Sequence, residues 1–92
     1  MPETKALLIV LNGLKCMLCG KEFKYEDLNW HHIKPKAVSQ FLNEEIDDSY
    51  DNGALLCTKS HEFVHKYNYW SYEYQNLMFQ IRLNKKDISN MA

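Results

Sequence analysis

The 92-residue chain lacks most of the features that would mark it as a membrane, secreted-scaffold or fibrous protein. No apolar run approaches the roughly 18 residues that cross a bilayer, so no spanning helix is expected. The short stretch "ALLIVL" (6–11) follows a single lysine and carries no secretory cleavage pattern. Glycine and proline are scarce, at 3 and 2 residues, and no stretch is rich in Pro, Gly or Ser. Repeats, low-complexity tracts and an interdomain linker are therefore not expected. Cysteine occurs only 3 times, as Cys16, Cys19 and Cys57. A secreted disulfide framework pairs its cysteines, so the odd count favours a reducing, cytoplasmic setting with metal-bound or free thiols.

What is present suits one small globular domain. Hydrophobic residues make up 46% and charged residues 25% of the chain, ordinary proportions for a packed fold. At this length a core is marginal and a metal staple is a common supplement. The net charge is −1, but Glu44, Glu45, Asp47, Asp48 and Asp51 fall in one acidic stretch. Without them 7 acids face 11 bases, enough for a basic face that meets phosphate. That stretch reads as a solvated surface loop.

The spacing predicts a helix over 4–11, ended at Asn12-Gly13. "CMLCGKEF" (16–23) reads as a knuckle with Gly20 in its tight turn, and "DLNWHHI" (27–33) as a strand ended by Pro35. "KAVSQFLN" (36–43) has helical spacing and "GALLC" (53–57) the look of a short buried strand. From Thr58 the reading is helix, with Thr58 or Ser60 able to cap it. Residues 67–83 form a second helix, or a continuation across a bend near Asn68. Its aromatic and apolar band, Tyr69, Trp70, Tyr72, Leu77, Phe79, Ile81 and Leu83, reads as core packing.

The 4 histidines fall in two tight pairs. His31 and His32 are neighbours in the predicted strand. His61 and His65 are four apart on the predicted helix, which puts their Cβ atoms about 5–6 Å apart on one face, close enough to share a metal ion. "HEFVH" (61–65) also fits H-E-x-x-H, in which Glu62 would activate water in a metalloprotease. That pattern recurs by chance and explains neither His31, His32 nor the cysteines. Glu73 is too near along the helix for a usual third ligand, and Asp87 sits in a polar tail.

The order Cys16-x2-Cys19, His31-His32-Ile33-x-Pro35, Asn52, Leu56-Cys57, His61-x3-His65 resembles the HNH endonuclease family, the ββα-metal nucleases. The likeness covers residues 16–65. The nine-residue step from Asn52 to His61 looks like the colicin-type DNase version, and the cysteines like the zinc-stapled version. The resemblance implies an α+β fold: a β-hairpin packed on a helix, with flanking helices. It implies a single nuclease domain over 1–92, with a motif core at 16–65 and a C-terminal helical extension at 66–92.

Carried onto this chain, the resemblance makes His31, His61 and His65 ligands of one divalent cation and His32 the general base. Asn52 would hold the hairpin loop and so orient His32. The expected activity is metal-dependent hydrolysis of DNA phosphodiesters, leaving 5′-phosphate and 3′-hydroxyl ends. Three imidazoles and no carboxylate suit Zn, Ni, Co or Mn better than Mg. Lys34, Lys36, Lys59 and Lys66 are candidate phosphate contacts, with Arg82, Lys85 and Lys86 more distant. No specificity domain is recognisable, so recognition is expected to be loose or supplied by a protein partner. Small members of the family are frequent in phages and mobile elements.

The sequence departs from the family in two places. Ser60 stands where a fourth cysteine would complete the zinc site, and a hydroxyl is a poor zinc ligand beside a thiolate. Three arrangements fit: structural zinc on Cys16, Cys19 and Cys57 with water or a carboxylate as the fourth ligand, a degenerate site of packed thiols, or weakly held zinc. The acidic stretch also replaces a frequent glycine pair in the loop. Both departures suit an alternative, a catalytically silent scaffold that binds nucleic acid or protein, although such a binder has no use for His32 as a base.

Overall fold

The computed structural model describes residues 2–86, and the tail that contains Asp87 lies outside them. In chain order the elements are helix α1 (Pro2–Asn12), strand β1 (Leu28–His32), helix α2 (Lys36–Phe41), strand β2 (Gly53–Cys57), helix α3 (Thr58–Val64) and helix α4 (Tyr72–Asn84). Single 3-10 turns, Tyr25–Asp27 and Tyr50–Asn52, lead into the two strands. This is the expected α+β arrangement: β1 and β2 form a two-stranded antiparallel hairpin and helices cover it.

The apolar run of β2 explains its place. All five of its residues are buried, as a strand covered on both faces requires. Successive strand residues point to opposite faces. Trp30 and Gly53 share one face with Leu8 of α1, and a Cβ on Gly53 would fall 2.7 Å from the Trp30 ring. Only glycine fits there. The other face of the hairpin carries His31 toward α3 and α4.

The knuckle forms as the sequence suggests. Gly20 has φ +78°, and its N–H closes the turn on the Cys16 carbonyl at 2.9 Å. The Met17 N–H donates to the Leu55 carbonyl at 2.8 Å and ties the knuckle to β2.

Two expectations change. Thr58 and Ser60 do not cap α3: Cys57 occupies the N-cap with no side-chain cap bond, and the Ser60 hydroxyl is engaged by thiols. The segment after α3 does not continue across a bend. Asn68 Oδ1 accepts from the Trp70 N–H at 2.8 Å, and Ser71 Oγ caps a separate helix by accepting from the Tyr74 N–H at 3.1 Å. The buried face of α4 is Tyr74, Met78 and Ile81, at i, i+4 and i+7. Most of the aromatic band lies outside, with Tyr72 81% and Phe79 55% exposed. Among the described residues no helix is long and apolar enough to cross a membrane.

Candidate active site

β1 ends on His31 and His32, which stand opposite Ala54 and Gly53 in the hairpin register. Helix α3 brings His61, and the residue that caps its C-terminus, His65, to His31. The His61 and His65 rings meet at 4.4 Å with their Nε2 atoms 3.0 Å apart. The His31 ring lies 5.4 and 5.5 Å from these two. One ring nitrogen from each of the three lies within 4.8 Å of the others, which makes a candidate cation site.

The electrostatics suit metal binding. His31 is 3% exposed. That burial, reinforced by His61 and His65, pushes its pKa down to about 3. Burial followed by the His65 charge also lowers His61. Both therefore favour the neutral imidazole, the form that donates a lone pair to a cation. The donor set thus fits a borderline divalent ion.

His32 opens on the same shallow pocket as the three-histidine cluster, beside Lys36. Its ring stands edge-on to Trp30 at 4.4 Å. Its Nε2 meets Asp48 Oδ1 at 2.6 Å. Asp48 belongs to the acidic stretch, and Glu44 of the same stretch pairs with Lys34. The stretch is exposed, as a solvated loop would be, yet it folds back onto two residues of the site. This differs from the plain surface loop read from the sequence.

Asn52 is buried and clamps the two ends of the loop. Its Oδ1 accepts from the Lys34 N–H at 2.8 Å, and its Nδ2 donates to the carbonyls of Asp47 at 2.7 Å and Lys34 at 3.3 Å. The Ile33 N–H donates to the Asn52 carbonyl at 2.8 Å. Asn52 thus holds the backbone on both residues immediately after His32.

The lysines separate into groups. Lys36 lines the histidine pocket, Lys59 lies beside the cysteines, and Lys66 is exposed. Lys85 is engaged inside: its ammonium donates to the carbonyls of Tyr50 and of Gly53, the latter at 2.7 Å. Burial lowers it to about 8.

The cysteines form a second cluster. Cys16, Cys19 and Cys57 place their sulfurs within 4.8 Å of one another. The Cys16 and Cys57 thiols both donate to Ser60 Oγ, at 3.3 and 3.4 Å, so the serine occupies the fourth corner in space as well as in sequence. Burial raises the Cys16 pKa, but the Cys19 N–H and the Ser60 hydroxyl outweigh it and leave the thiol at about 7. A partly ionised thiol beside two others is a reasonable zinc donor set.

Two site contacts escaped the sequence reading. Asp48 was one of several acids in a loop, and nothing in its spacing pointed to His32. Tyr74 was one of many aromatics, yet its hydroxyl lies 2.9 Å from His31 Nε2.

The HNH endonuclease family model matches residues 16–66, more than half of the chain. The chain belongs to this family, whose members are nucleases that in general use a divalent metal ion. Among curated proteins no match was found, and no solved structure matches.

Proposed function

We propose that this chain is a metal-dependent DNA endonuclease, folded as one nuclease domain with α4 as its helical extension. The observation that carries the reading is the convergence of His31, His61 and His65 beside His32 on one open pocket. A divalent cation held by those three imidazoles would supply the positive charge that a phosphodiester needs as negative charge builds on its oxygens.

The rest of the chemistry falls to the chain's own side chains. His32 takes a proton from the attacking water, the general-base role for which an imidazole is the commonest side chain. Asp48 accepts the His32 Nε2–H and leaves Nδ1 as the basic atom. Asn52 fixes the backbone beside His32 and so the direction of its ring. Lys36 meets phosphate at the pocket edge, while Lys34, Lys59 and Lys66 reach the backbone on either side. Cys16, Cys19 and Cys57 would hold a zinc ion that ties the knuckle to β2 and α3.

A second reading has one observation in its favour. The carboxylates of Asp48 and Glu44 sit on His32 and Lys34, where phosphate would lie in an enzyme. A silent scaffold that binds nucleic acid or protein would tolerate that arrangement.

Relaxation of supercoiled plasmid distinguishes the two. The purified chain is incubated with DNA and each of Mg, Mn, Co, Ni and Zn, beside His32→Ala. Metal-dependent nicking that vanishes in the variant supports the enzyme. Folded protein that leaves the plasmid uncut with every one of these metals supports the scaffold.

A further inference from the structure

Tyr74 lies in α4, beyond the residues that the family model matches, and its side chain ends on the metal cluster. It is buried, and its hydroxyl makes two contacts of 2.9 Å, one with the Ile33 carbonyl and one with His31 Nε2. A phenol has a single proton to give. The carbonyl has none, so the proton of Tyr74 goes to Ile33. The second contact must then run the other way, with His31 Nε2–H donating to the Tyr74 oxygen. An imidazole protonated at Nε2 keeps its free lone pair on Nδ1.

We propose that Tyr74 is a positioning residue of the metal centre: it holds His31 in the Nε2–H tautomer, so that Nδ1 is the atom His31 offers to a cation shared with His61 and His65. The proposal rests on the reading that these three histidines bind metal, and it adds which atom of His31 binds and what fixes it. His61 and His65 approach each other through Nε2, so the strand contributes its near nitrogen and the helix its far ones. Both partners of the contact are buried, which leaves little access for a water to replace the phenol. The Ser71 cap sets Tyr74 in the first turn of α4, and the Ile33 contact fixes the end of β1 through the same hydroxyl. Outer partners of metal-bound histidines commonly fix the tautomer in this way.

The test uses the whole chain labelled with nitrogen-15. Long-range imidazole proton–nitrogen spectra are recorded with and without zinc, and zinc affinity at the histidines is measured by chelator competition while their resonances are followed. Wild-type protein is expected to show His31 as the Nε2–H tautomer throughout, with zinc shifting Nδ1. Tyr74→Phe keeps the ring and is expected to show mixed tautomers and zinc affinity weaker by about 10–100-fold. An Nδ1–H tautomer in the wild type, zinc on Nε2, or unchanged affinity in Tyr74→Phe overturns the proposal. The wild-type spectra decide the matter even if the variant fails to fold. Zinc that perturbs none of the three imidazoles overturns the metal-centre reading along with it. Zinc on Nδ1 without DNA cutting overturns the nuclease reading alone.

Discussion

The two ligand clusters share helix α3 but are built to opposite plans. Ser60 points its oxygen into the cysteines, and the next residue, His61, points its ring at His31. The cysteine cluster gathers four donor atoms, three sulfurs and the Ser60 oxygen, with Cys16 and Cys57 buried and Cys19 exposed. The histidine cluster has only three donors and opens on a pocket that also holds His32. Structural zinc sites are typically saturated by the protein, whereas catalytic sites keep a position free for water or substrate. On the proposed reading one short helix ties a stabilising cluster to a reactive one, and the first turn of α3 sets the distance between them.

The largest expected effect breaks the comparison on the histidine side alone. His61→Ala removes one of only three donors, so plasmid cleavage should fall on the order of 10³-fold, while zinc on the cysteines is retained. Cobalt absorption separates the two, since thiolate bands persist and histidine ligation is lost. Coupled loss of both would show that the clusters are not independent.

Acid should come next. The folded chain holds His31 at about 3, against 6.5 for an unperturbed imidazole. Because the folded value is the lower one, the unfolded chain takes up the proton first. Stability is then fully present above pH 6.5 and is lost as pH falls toward 3. For metal-free protein the loss should reach a few kcal/mol across that window. Denaturant titrations at several pH values measure it, and His31→Asn should flatten the extra slope.

Ser60→Cys sharpens the comparison from the other side by completing four thiols. Zinc at that cluster should tighten on the order of tenfold or more, with cleavage unchanged. Chelator competition reads the first and plasmid relaxation the second. A smaller effect is expected from Asp48→Asn. The contact with His32 is partly exposed, so kcat should fall only about tenfold, with metal binding intact.

Much of this arrangement was legible in the sequence because its signals are local. The apolar run of β2, the Gly20 turn and the four-residue step from His61 to His65 each act within one element. The hairpin and the meeting of His31 with His61 and His65 were expected from the family resemblance that the order of the histidines, Asn52 and the cysteines carries. The contacts that were missed depend on closure across the chain. Asp48 reaches His32 only because Asn52 clamps the loop ends. α4 carries aromatic and apolar residues on its exposed face as well as its buried one, with Tyr72, Phe79 and Leu83 outside, so periodicity did not reveal that Tyr74, Met78 and Ile81 face inward. Ser60 looked like a cap because it starts a helix, yet the nearby thiols claim its oxygen.

The most direct test measures cleavage and metal occupancy on the same sample of His32→Ala. The account predicts that the variant keeps its metal on His31, His61 and His65 and loses cleavage. Cleavage at the wild-type rate with the metal still bound would contradict it, because the base would then lie elsewhere.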